Sequence, residues 1–374
     1  MKKDSMKTIV LAAALVACAA PSFAQLGGAL RRVQQARDAK DKLDDLNVTE
    51  EEERTIGEGV SAKIRARFGV VQDPAIHEYV ALVGLTLARL SDRPGLPWTF
   101  VVLDTDGVNA FASPGGIVHV TRGALALVAS EAELAAVLGH EIGHVARKHT
   151  VNAIQKSKAV QLGTSETLAS RGPFLDLIAN KAYEMVLENK FDRGDEMDAD
   201  KVSVALAGKA GYAPGKLADF LTRLDERNRD QPAANGLFAS HPDMTARIQA
   251  IAKLAGTRGG PTVEARYASN VKYEPVDVTK IATVEEGAAG LAGSTGGKAG
   301  AKKDEKVDAA PKKGFGLASL SKSAGSERQT AQVSASGGAR GVGPDRMARG
   351  GGNPSLVKVA VSDAALAAFK KGIA

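Results

Sequence analysis

Residues 130–149 read SEAELAAVLGHEIGHVARKH, and the meaning of the whole chain turns on this stretch. Ser130 with Glu133 three positions on has the form of a capping box, so a helix is predicted to open there and to continue through Lys148. Leu134, Val137 and Leu138 give that helix a face to bury. His140 and His144 stand one turn apart on a single face, where two neutral imidazoles can hold one Zn²⁺. Glu141 lies beside them, positioned to take a proton from an attacking water. Gly139 and Gly143 leave room for another backbone to approach the histidines.

A hydrolytic metal site needs a third protein ligand and an open position. His149, Glu184, Glu188 and Glu196 are the candidates that follow in sequence. On one uninterrupted helix His149 points about 140° away from His144, which disfavours it. Glu196 is the better choice, because Asp200 at i+4 on the same predicted helix can support a ligand or accept a histidine Nδ1–H.

Working outward, Thr49 and Glu52 cap a helix running toward Phe68, Asp73-Pro74 punctuates the chain, and Ile76, Val80, Val83, Leu87 and Leu90 then stand at helical spacing. Residues 98–103 and 116–121 read as short strands, and a helical stretch from Leu168 to Asn189 is interrupted at Gly172-Pro173. Helices are expected again over 195–210, 217–228 and 243–254. Short strands among longer helices predict an α+β fold, mainly helical with a small β-sheet. The glycines of residues 109–120 suggest a turn leading into an extended edge. There GIVHV, starting at Gly116, offers backbone groups to a peptide laid alongside; an ordinary hairpin bend at Gly115-Gly116 is the plainer alternative. The expected substrate contacts are Asn109, Ala110, Phe111, Gly115, Gly116, Ile117 and Val118.

Composition excludes other classes. Forty-nine Lys and Arg against 43 Asp and Glu leave a net charge of +6 over 374 residues, and 16 aromatics are poor stock for base stacking, so nucleic acid is not the expected partner. A single cysteine rules out an internal disulfide framework and any zinc cluster built on cysteines. From Met6 the chain reads MKTIVLAAALVACAAPSFAQ, a secretory leader with an apolar run too short to span a bilayer. Two processing routes fit: cleavage after Ala24, making residues 1–24 a signal peptide, or lipidation at Cys18 within LVAC, removing residues 1–17. Either way export is expected, to the periplasm, with a tether to the outer membrane through Cys18 in the second case.

A metallopeptidase domain is expected over residues 25–256. Residues 287–352 hold 16 glycines in 66 positions, so residues 257–352 read as a flexible Gly/Ala/Ser/Lys-rich tail and 353–374 as a short docking segment.

HEIGHVARKH at His140 to His149, EMDAD at Glu196 to Asp200 and Gly211-Tyr212 together resemble the HtpX/BepA/Oma-like and CAAX-prenyl-protease superfamily of HExxH zinc metallopeptidases, in particular its soluble periplasmic branch. NAFASPGG at 109–116, VTRGAL at 120–125 and SHPDMTARI at 240–248 extend the resemblance from about Glu50 to Leu254. It implies a zincin-like fold, one zinc per chain held by His140, His144 and Glu196, Glu141 as general base and Asp200 supporting the ligands. It also implies that His241 lies near the metal, assisting catalysis or blocking the open position, with Arg247 as a structural or site-lining partner. The implied substrates are polypeptides, unfolded or extended proteins of the cell envelope, with outer-membrane or cell-wall association through the lipid anchor or tail. The tetratricopeptide repeats that follow the catalytic domain in some relatives have no 34-residue counterpart here.

Overall fold

Helix ends in this chain are set by side-chain caps. Thr49 and Glu52 form the full reciprocal box at the head of α1 (Glu50–Phe68), each bonding the other's backbone N–H. Asp73 accepts from Ala75 N at 2.9 Å and Pro74 takes the first position of α2 (Pro74–Ala88), where its missing N–H costs nothing. The computed structural model describes residues 48–161, 171–188, 191–229, 244–283 and 344–373. The leader with Cys18, the residue His241 and the glycine-rich stretch 284–343 lie outside the described residues.

Three strands follow: β1 (Thr99–Leu103), β2 (Ala110–Ser113) and β3 (Ile117–Thr121). They pair in the order β1-β3-β2, with β3 parallel to β1 and antiparallel to β2. The GIVHV segment expected as a free edge is therefore the centre of the sheet, and Ile117 and Val118 have strands on both sides. Gly115 and Gly116 form the hairpin turn, with φ of 76° and 103°, a region that favours glycine.

The remaining elements are α3 (Arg122–Leu127), α4 (Glu131–Ala146), α5 (His149–Gln161), α6 (Arg171–Glu188), α7 (Arg193–Ala210), α8 (Lys216–Asn228), α9 (Met244–Ala255) and α10 (Glu264–Asn270). Beyond them come α11 (Pro344–Met347) and α12 (Asp363–Lys371). The fold is mostly helical with one small sheet, as the sequence leads one to expect. Gly172 and Pro173 stand at the start of the described part of α6, and the residues before Arg171, where the interruption of the helical stretch was expected, lie outside the described residues.

Packing continues past residue 256, where composition suggests the flexible tail begins. Tyr267 is buried and its hydroxyl donates to Leu125 O at 2.5 Å. Thr283 bridges Ala348, which joins the described segments 244–283 and 344–373. Asp345 is buried against Arg227 and accepts from Val108 N at 3.0 Å, while Gly351 N donates to the Phe68 and Asp104 carbonyls. On α12, Phe369 meets Tyr79 edge-on at 6.3 Å and lies 4.0 Å beneath the Arg266 guanidinium.

His119 sits fully buried in the central strand, Nε2 2.9 Å from Ser61 Oγ on α1 and Nδ1 3.4 Å from the Phe111 carbonyl. Burial pushes its pKa down to about 3, with the Phe111 carbonyl opposing and Arg65 adding to the shift. An unfolded chain binds this proton near the ordinary imidazole value and the folded chain does not until about pH 3. Stability from this group is thus complete above the unfolded value and falls with acid at up to about 1.4 kcal/mol per pH unit. His119→Gln is expected to flatten the decline in urea-unfolding free energy between pH 6 and pH 4 by up to that slope. An unchanged slope would contradict the assignment.

Candidate metal centre

The site is built by two helices in close approach. A Cβ on Gly143 would lie 3.1 Å from Ala199 Cα, and one on Gly139 would lie 3.3 Å from Ser203 Cα, so α7 rests on the glycine face of α4. Ser203 Oγ locks the pair by donating to Ala136 O at 2.6 Å. Ser130 caps α4 through Glu133 N, a contact worth about 1 kcal/mol. Glu133 turns its own carboxylate to Ala129 N and to Arg223 on α8, so the expected box is only half closed. At the same end Glu131 is buried and held by Tyr79, Tyr212 and Arg266. Gly211, at φ 96°, ends α7 and delivers the Tyr212 hydroxyl to that carboxylate at 2.7 Å.

With α7 this close, Glu196 and Asp200 reach the histidines. His140 Nε2 and His144 Nε2 are 3.1 Å apart, and the Glu196 carboxylate oxygens lie 3.5 Å and 3.4 Å from them. A tetrahedral site with metal–ligand bonds of about 2.0–2.1 Å has edges of about 3.3–3.4 Å, which this triangle of donors matches. Behind the triangle, His140 Nδ1 lies 3.0 Å from Asp200 Oδ1, and Arg247 clasps both Asp200 oxygens at 2.8 Å and 2.6 Å. Its third nitrogen comes within 3.4 Å of Glu196. Arg247 is thereby a buried partner of the ligand supports.

The electrostatics fit a cation. Three buried carboxyl groups, Glu141, Glu196 and Asp200, face a single guanidinium, and a divalent ion brings the cluster near neutrality. Burial opposes a charged His140, but hydrogen bonds to Asp200 and Glu196 outweigh it and raise the imidazole to about 9, so the carboxylates around it favour positive charge at this spot. Asp200 is held below its ordinary value because Arg247 and His140 overcome its burial. Burial lifts Glu141 to about 7, with Glu196 adding and His140 and Arg247 opposing, so its carboxyl exchanges a proton near neutrality. The donor set and its charge fit a bound metal ion.

Residues 74–255 match the peptidase family M48 across α2 to α9. This stretch is a peptidase family M48 domain. The chain is 22% identical over 266 residues to the beta-barrel assembly-enhancing protease of Escherichia coli K12, covering 66% of this chain and 51% of that one. It is 29% identical over 186 residues to the metalloprotease LoiP of the same strain, 48% of this chain and 71% of that one. Against the mitochondrial metalloendopeptidase OMA1 of Arabidopsis thaliana it is 29% identical over 166 residues, 44% and 33% of the two chains. The chain spans about half the length of the assembly-enhancing proteases it matches.

The M48 domain brings His140, Glu141, His144, Glu196, Asp200 and Arg247 together. It treats the expected peptide-contacting residues differently. Asn109 Oδ1 accepts from Ala110 N and its own N–H donates to Thr121 Oγ1, which locks the turn into β2. Phe111 is buried and stacks on Phe68 at 5.7 Å, and Gly115 N donates to Glu53. Since Thr121 N bonds to Asn109 O, the hydrogen-bonded pairs with β3 fall at 109, 111 and 113, and the carbonyls of Ala110 and Ala112 and the N–H of Ala112 point to the outer edge of β2. Among the described residues no further strand pairs there. A small cavity between Ala112, Pro114, His144, Val145 and Val151 adjoins that edge.

His149 does not continue the active helix. α4 ends at Ala146 and Lys148 takes φ 57°, which restarts the helix at His149 and swings that imidazole back to His144, Nδ1 to Nδ1 at 3.1 Å. Burial lowers its pKa, with Asp195, Asp198 and Glu196 opposing. Phe191 covers the His144 ring at 4.2 Å. Neither Arg147 nor Lys148 signals a break in the sequence, so this neighbour was not legible there.

Proposed function

We propose that this chain is a zinc-dependent metalloendopeptidase that cleaves extended or misfolded proteins of the cell envelope. The observation that carries the reading is the buried triangle of His140, His144 and Glu196 at tetrahedral spacing, with Glu141 beside it. Bound there, zinc supplies a Lewis acid that polarises a carbonyl and makes water acidic enough to attack near neutral pH. Glu141, next to the metal-ligating His140 in sequence, takes the proton of the attacking water and returns it to the departing amide nitrogen. Asp200 holds the His140 proton on Nδ1 so that Nε2 is left to the metal, and Arg247 keeps Asp200 ionised.

Extended substrates are read by the outer edge of β2, not by β3. A peptide laid there as a fourth strand gains backbone hydrogen bonds to Ala110 and Ala112 with little demand on its side chains, which suits a protease for unfolded chains. The helix α6, packed on α1 and β2, is the natural cover for that edge. The resemblance to envelope proteases and the leader read at residues 6–24 support a periplasmic location, with Cys18 as anchor if it is lipidated.

Protein recovered from the periplasmic fraction and its Glu141→Gln variant should each carry one zinc, and only the unaltered protein should cleave casein, the loss being about 10²- to 10⁴-fold. Equal turnover by the variant would remove Glu141 from the mechanism, and recovery from the cytoplasm alone would contradict the location. Ala112→Pro deletes an outward N–H that β3 does not use, so the ladder between β2 and β3 keeps its hydrogen bonds. It should raise KM about three- to tenfold, the worth of one backbone hydrogen bond, with little change in melting temperature. An unchanged KM in a folded variant would move the substrate elsewhere.

A further inference from the structure

The two imidazoles of the triangle are backed in different ways. A histidine that offers Nε2 to a metal carries its proton on Nδ1, and that proton needs an acceptor. For His140 the acceptor is the Asp200 carboxylate. For His144 the atom in reach is Nδ1 of His149, at 3.1 Å, with the rings edge to face and centroids 5.0 Å apart. An imidazole nitrogen accepts only when it bears no proton. His149 must then hold its proton on Nε2, and there Asp198 Oδ2 and Asp195 Oδ1 lie at 3.5 Å and 3.8 Å, both on α7.

We propose that His149 is a positioning residue for His144: it accepts the Nδ1 proton of His144 and so fixes the tautomer and ring plane with which His144 faces the metal. The chain of contacts runs from the surface carboxylates through His149 to His144, parallel to the chain from Arg247 through Asp200 to His140. The two relays differ in strength. His140 leans on a charged acceptor, whereas His144 leans on a neutral imidazole, which binds its proton less firmly. Burial of His149, which is 5% exposed, and the Phe191 ring 6.4 Å from it keep water from substituting as the acceptor.

This inference rests on the zinc site proposed above, and the tests separate the two. His149→Phe keeps a flat ring in the same packing but accepts nothing; His149→Asn restores an acceptor oxygen near the former Nδ1. Zinc affinity is measured by chelator competition on the full chain, with melting of the metal-free proteins alongside. The Phe variant should bind zinc about 10- to 100-fold more weakly than the unaltered protein, and the Asn variant should recover most of that loss. Equal zinc affinity in the Phe variant and the unaltered protein, or no recovery with Asn, overturns the proposal while leaving the zinc site intact. Unaltered protein that binds no zinc overturns both. Ring ¹⁵N spectra of the zinc-loaded unaltered protein need no variant: a bare Nδ1 and protonated Nε2 on His149 are expected, and the opposite tautomer refutes the role.

Discussion

The close approach of α4 and α7 is the constraint on which the site depends. Two glycines one turn apart, Gly139 and Gly143, let the backbone of α7 settle where ordinary side chains would hold it off. That contact brings Glu196 and Asp200 within reach of imidazoles on another helix. A methyl at either position would push α7 outward by some tenths of an ångström, and metal sites tolerate little such looseness. The local sequence requirement, small residues beside the ligands, and the chemical requirement, a carboxylate from a distant segment, are met by one packing arrangement.

Burying that much charge has to be offset within the site itself. Arg247 enters from α9 to neutralise Asp200 and lies near Glu196, so a third helix is part of the metal centre. A second buried polar cluster holds the opposite end of α4, where Glu131 collects Tyr79, Tyr212 and Arg266 from α2, the end of α7 and α10. The active helix is thus fixed at both ends by paired charges and along its middle by glycine packing. Arg266 in turn carries the C-terminal helix through Phe369, which extends this bracing to the last described residues.

What was legible in the sequence was local. The histidine pair, the base between them and the Glu196–Asp200 spacing are set by helical periodicity within single segments, and the caps at Thr49 and Ser130 announce themselves by residue type. What was not legible depends on contacts between segments. Strand order is such a case: alternation marks β3 as extended, but only its pairing with both β1 and β2 makes it central and leaves β2 at an edge. His149 looks remote from His144 on an ideal helix and becomes its neighbour because Lys148 adopts a conformation that nothing in its type announces. Glycine-rich composition hid the packing of residues 257–283 and 344–373, which rests on sparse anchors such as Tyr267, Asp345 and Phe369.

The account stands or falls on whether a metal occupies the triangle between α4 and α7. Anomalous diffraction at the zinc absorption edge, on crystals of protein purified without added metal, addresses this directly. The account predicts one strong peak per chain, within about 2.0–2.2 Å of His140 Nε2, His144 Nε2 and a Glu196 oxygen. A peak bound by other residues, or none in protein that contains stoichiometric zinc, would contradict it.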